Sequence, residues 1–67
     1  MKKVLAKDLK VGDIINDGIS KNNKFVVKKI DMGTLYMFSE SNYSLYLIDS
    51  DGFYHFDIDN NPWYMED

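Results

Sequence analysis

The chain has 67 residues, 45% of them apolar and 28% charged, with a formal net charge of −3 at pH 7. That length allows one domain around one thin core, and the apolar share is that of a globular chain rather than a disordered one. There is no cysteine and a single histidine, His55, which excludes disulfides, thiolate zinc centres and multi-histidine metal clusters.

At the N-terminus, "MKKVLAKDLKVG" sets only Val4, Leu5 and Ala6 between its lysines. That run is too short for the apolar region of a signal peptide, and no segment approaches the roughly 20 apolar residues of a membrane span. The expectation is a cytoplasmic protein. "AKDLKVGDIIN" predicts a short turn and then a strand starting near Asp13. "NDGISKNNK" is polar and is the longest predicted loop. "KFVVKKIDM" predicts a strand on Phe25, Val26, Val27 and Ile30, which are β-branched or aromatic. A turn at Asp31–Met32–Gly33 leads to a strand in "TLYMFSE". Ser39–Glu40–Ser41–Asn42 leads to a strand in "SLYLID". Asp49–Ser50–Asp51–Gly52 leads to one in "GFYHFDI", with Tyr54, Phe56 and Ile58 on a core face and Phe53, His55 and Asp57 on a surface face. Asp59–Asn60–Asn61–Pro62 is a further turn signal, and "WYME" reads as a short closing strand.

Strands recurring at intervals of roughly 10 residues, with no helical periodicity, predict an all-β chain forming one domain over residues 1–67. "TLYMF" and "LYLI" are apolar on both faces. Two readings follow. Tyr36, Phe38 and Tyr46 form an exposed aromatic patch, or a strongly curled barrel shares one core with tyrosine hydroxyls at its rim.

The stretch "LKVGDII", Leu9 to Ile15, resembles the L-x-x-G-D-x-I opening of small SH3-like barrels, including KOW-type and translation-factor-type modules. Leu9, Val11, Gly12, Asp13 and Ile15 carry the match, which covers roughly the first 30 residues. The resemblance implies a small SH3-like barrel of about five antiparallel strands. It also implies that Leu9 and Val11 pack beneath the barrel while Gly12–Asp13 turns the chain into its first strand. Nucleic-acid modules of that kind are usually basic, and the acidic balance here departs from them.

Charge and aromatic residues divide unevenly. Residues 1–33 hold all eight lysines and four aspartates, a net +4; residues 34–67 hold seven acids and no lysine or arginine, a net −7. Of the aromatic residues, only Phe25 lies in the first half. Such asymmetry marks either a steering surface or strands whose opposite charges pair across the sheet.

Catalytic and metal patterns fail. "DSDG" and "DIDNN" resemble pieces of a calcium loop. From Asp57 the sixth position is Pro62, and from Asp49 it is Tyr54, where an EF-hand needs glycine. The expected structures are a hairpin turn and an Asx turn. His55 and Asp57 share a strand face, but no third group completes a catalytic set. The four glycines are too widely spaced for a phosphate loop. No enzyme activity and no cofactor are implied.

The acidic aromatic half fits protein recognition. Tyrosine and tryptophan anchor interfaces, and acids steer toward a basic partner. The candidate residues are Tyr36, Phe38, Tyr46, Phe53, Asp57, Trp63 and Tyr64, with Trp63 and Tyr64 read equally well as caps on the barrel end. Residues with AT-rich codons dominate, which fits a low-GC bacterium or its virus. The favoured reading is a phage or mobile-element module that binds and modulates or inhibits a host protein with a basic surface, DNA mimicry being one form of it. A nucleic-acid reader using Lys21, Lys24, Lys28 and Lys29 is the alternative. A self-associating structural subunit is the second.

Overall fold

The computed structural model describes residues 2–40 and 45–65. Part of the turn expected at Ser39–Asn42, Ser44, and the acids Glu66 and Asp67 lie outside the described residues. The fold is all-β. Its strands are β1 (Lys2–Val4), β2 (Ile14–Asn16), β3 (Lys24–Asp31), β4 (Thr34–Phe38), β5 (Tyr54–Asp57) and β6 (Trp63–Met65), with one 3-10 turn at Ala6–Asp8. They form a single antiparallel sheet in the order β1-β6-β2-β3-β4-β5. From β2 to β5 the chain is a meander. β6 then returns to fill the slot between β1 and β2.

The sheet is curled into a barrel-like shape. Phe56 on β5 and Trp63 on β6 lie with ring centroids 4.8 Å apart. Four strand-to-strand steps separate β5 from β6, about 19 Å if the sheet were flat. Their rings meet only because the sheet folds back on itself. Phe25 sits at the centre of the enclosed core, edge-on to Tyr46, Tyr54, Phe56 and Trp63 at 5.4–5.8 Å. Ile15, Val27, Leu35 and Met37 complete it, with Ala6 and Leu9 entering from the 3-10 turn.

Two local devices set the geometry of β3 and β4. Met32 and Gly33 both have positive φ (48° and 78°) in the two-residue loop between paired Asp31 and Thr34, the backbone twist that suits a tight hairpin. Between Val27 and Lys29 the register shifts by one residue, leaving Lys28 as a bulge. Without the bulge, strict alternation from Phe25 and Val27 would turn Lys29 inward. With it, Lys29 lies opposite Tyr36 outside, and Ile30 lies opposite buried Leu35 at the exposed end of the inward face.

Several expectations change. "LYLI" is not a strand: Leu45–Ile48 stays outside the ladder. Only Tyr46 finds a place against the core, while Leu45, Leu47 and Ile48 remain exposed, Leu47 at 93%. A one-layer core covers the inward side of an edge segment and leaves its other side bare. Strand β1 was not anticipated; three residues with two lysines carry no strand signal, and the free edge of β6 supplies the pairing. Leu9 packs beneath the barrel, but Val11 is 63% exposed. Gly12, with φ 98°, donates its N–H to the Val27 carbonyl at 2.8 Å, which ties this turn to β3.

The long loop after β2 is polar but ordered by its own side chains. Asn16 Oδ1 accepts the Gly18 N–H at 2.6 Å, and its Nδ2 donates to the Ser20 carbonyl at 2.9 Å. Asp17 accepts the Ile19 N–H and the Asn23 Nδ2–H, both at 2.9 Å. All three of these polar side chains are buried. Satisfied in this way, they cost little to bury and hold the loop against the sheet.

Candidate functional site

The outer face of the sheet is built from aligned rungs. In one, Ile14, Val26 and Phe38 lie opposite one another across β2, β3 and β4. The same register, carried one residue past Tyr54, sets Phe53 at the end of this rung. In the next, Lys29, Tyr36 and His55 are aligned across β3, β4 and β5. In the third, Asp31, Thr34 and Asp57 are aligned. Alternation along each strand therefore places Tyr36, Phe38, Phe53 and Asp57 on one face. Phe38 is 38% exposed, and Tyr36 and Phe53 are half-buried.

The other candidates lie elsewhere. Trp63 is 1% exposed and belongs to the core, so it is not available as an interface anchor. Its indole Nε1 has no hydrogen-bond partner among the described residues. Tyr46 packs inward against Phe25 and Phe56. Burial, and then the hydrogen-bonded Asp17 carboxylate, push its hydroxyl above the ordinary phenol value. Tyr64 is half-buried on the outside of β6, where its ring covers Gly18. Alternation along β6 drives this division: Trp63 and Met65 face in and Tyr64 faces out.

The charge split persists on this face in a new form. Lys24 and Lys29 project from the outside of β3, Lys28 from its bulge, and Lys21 from the loop before it; all four are exposed. Asp49, Asp51 and Asp57 stand on the opposite side, around β5, while Asp31 ends β3 beside Lys29. Aromatic β4 lies between. Lys29 Nζ is 5.1 Å from the centroid of the Tyr36 ring and 3.9 Å from Asp31 Oδ2. Such exposed pairs are individually weak.

His55 does not turn to Asp57, as same-face spacing suggested. Its Nδ1 lies 3.0 Å from Asp49 Oδ2 and its Nε2 lies 2.7 Å from Asp51 Oδ2. Its ring meets Tyr36 edge-on at 4.4 Å. Asp57 instead accepts the Asp59 N–H at 2.8 Å in an Asx turn. In the turn before β5, Gly52 donates to the Asp49 carbonyl and Phe53 N–H donates to Asp51 Oδ1. The Phe53 N–H holds the Asp51 carboxyl below the ordinary aspartate value; desolvation opposes it, and His55 adds to the lowering. Asp49 was visible in sequence only as a turn former; its reach to His55 depends on the tightness of the Asp49–Gly52 turn.

The two carboxylates flank opposite nitrogens of one ring and do not converge on a shared point. Among the described residues no group of three His, Cys, Asp or Glu side chains is placed to hold a metal ion. No helix among them is long and apolar enough to cross a membrane. No family model matches the chain, and no curated protein or solved structure matches it.

Proposed function

We propose that the chain is a non-catalytic protein-binding module. Its docking surface is the outer face of β3, β4 and β5, and its partner presents a basic surface. The observation that carries this reading is the common face of Tyr36, Phe38, Phe53 and Asp57, with Asp49 and Asp51 beside them. The inner face already supplies a full core, so these outer aromatic side chains are not needed to build one. Aromatic side chains at the centre of a patch supply contact area, and flanking carboxylates supply steering and register. The lysine-poor, acid-bearing margin on β5 favours a lysine- or arginine-rich partner over a nucleic acid. A phage-encoded or mobile-element-encoded chain that modulates or inhibits a host protein is the form of this reading that composition favours.

The test is a tagged pull-down from low-GC bacterial lysate, one half treated with nuclease, read by mass spectrometry. Wild-type bait is compared with Phe38→Ser and with Lys7→Ser, which alters an exposed lysine of the 3-10 turn, outside β3, β4 and β5. One stoichiometric protein held by wild type and Lys7→Ser, lost with Phe38→Ser and indifferent to nuclease, is the expected result. Capture that survives Phe38→Ser removes this face from the reading. Capture that disappears with nuclease transfers it to the lysines.

A further inference from the structure

Histidine is the side-chain type that can carry or lose a charge near neutral pH, and His55 is the sole histidine of the chain. The charged and titratable groups around it come from three strands and a turn. Asp49 and Asp51 face its two nitrogens from the preceding turn. Tyr36 faces its ring from β4, with Lys29 of β3 over the same tyrosine. Asp57 lies two residues along β5 on the same side.

A carboxylate only accepts hydrogen bonds. A neutral imidazole has one N–H to donate, and an imidazolium has two. The 2.7 Å Nε2–Asp51 contact is a hydrogen bond, and the 3.0 Å Nδ1–Asp49 contact is an ion pair that is attractive only when the ring is charged. With a neutral ring, one nitrogen lone pair faces a carboxylate oxygen. That contact is repulsive, and the carboxylate is better solvated by turning to water. Asp51 is held below the ordinary aspartate value, which favours its role as the acceptor.

Building on the docking reading above, we propose that His55 is a protonation-controlled switch on the acidic margin of that face. Charged, the ring ties Asp49 and Asp51 to the sheet and cancels one of their two charges. Neutral, it releases one carboxylate, and the margin gains one unit of negative charge. The sign follows directly. Rising pH strengthens the attraction for a basic partner, and falling pH masks it.

The experiment uses the whole chain and a fluorescent oligolysine peptide at low ionic strength, titrated at intervals from pH 5.5 to 8. Wild type is expected to bind about two- to five-fold more tightly at the upper end, the range for one exposed charge. His55→Gln, with the wild-type circular dichroism spectrum, is expected to lose that pH dependence. The same tightening in His55→Gln overturns the switch. Carboxyl ¹³C titrations of Asp49 and Asp51 give an independent reading. A step in their shifts that follows the imidazole, and vanishes in His55→Gln, upholds the switch; its absence in wild type overturns it. If oligolysine does not bind at any pH, the docking reading fails, and the carboxyl titrations alone still decide the switch.

Discussion

On the inner face of the sheet, four aromatic rings meet Phe25 edge-on within a core closed to solvent. On the outer face, Phe38 and Phe53 share one rung and Tyr36 stands in the next, between Lys29 and His55. The two faces draw on the same residue types from the same strands. What separates them is closure. Curling lets inward rings from β3, β5 and β6 reach one another, and each then has apolar contact on most of its surface. Outward rings diverge on the convex side and keep one flank in water. Removing an inner ring therefore costs folding, whereas removing an outer ring leaves the fold intact.

Phe25→Ala breaks this comparison at its strongest point. Truncating a buried phenylalanine costs about 3–5 kcal/mol. A single core in a domain this small rarely supplies more than about 3–5 kcal/mol in total. The variant is expected to be largely unfolded at 25 °C, seen as loss of the β circular dichroism signal and of any cooperative urea transition. Phe38→Ser is expected to keep the transition, with a midpoint close to wild type. A folded Phe25→Ala would mean that the core is not organised around this ring.

The next effect concerns a backbone position in the loop after β2, beneath an outward ring of β6. Gly18 has φ 79°, and a Cβ there would fall within the Tyr64 ring. Gly18→Ala carries both the strain of positive φ and an overpacked contact, together about 1–3 kcal/mol. Equilibrium urea unfolding measures it. Tyr64→Ala in the same chain sharpens the result, because it removes the clash and leaves the backbone strain. The double variant is expected to lose less than the two single changes combined. Simple additivity would show that the Tyr64 ring does not rest on Gly18.

Much of this arrangement was legible in the sequence. The β-branched and aromatic runs gave β3, β4 and β5, and glycine with its Asp and Asn neighbours marked the turns between them. Alternation separated Tyr54 and Phe56 from Phe53, His55 and Asp57 correctly and paired Tyr36 with Phe38, but only the strand register puts those two on the same face as Phe53 and Asp57. Other features depend on distant partners. Insertion of β6 between β1 and β2 is a non-local pairing, so neither the strand at Lys2–Val4 nor the inward direction of Trp63 follows from local pattern. The bulge at Lys28 is a single extra residue that changes which face the next residues occupy. Leu45–Ile48 has strand composition without a place in the ladder. The partners of His55 depend on turn geometry that residue spacing alone does not fix.

The smallest effect isolates one charge at the margin of the outer face. The Asp51 carboxyl lies below the ordinary aspartate value, owing first to the Phe53 N–H and then to His55. In the unfolded chain the same group takes up its proton at higher pH. Its contribution to stability is thus fully present above the unfolded value and is lost as pH falls through the folded one. In Asp51→Asn, the side-chain amide oxygen still accepts the Phe53 N–H, now at 3.0 Å from Asp51 Oδ1, while the negative charge is gone. Thermal midpoints of the two proteins are expected to differ modestly at pH 5 and to converge as pH falls toward 2. Because the pair is exposed, moderate salt is expected to narrow the gap at pH 5 as well. A gap that widens on acidification would reverse the sign and show that Asp51 is destabilised in the folded chain. A gap that ignores salt would assign the effect to hydrogen-bond geometry rather than to charge.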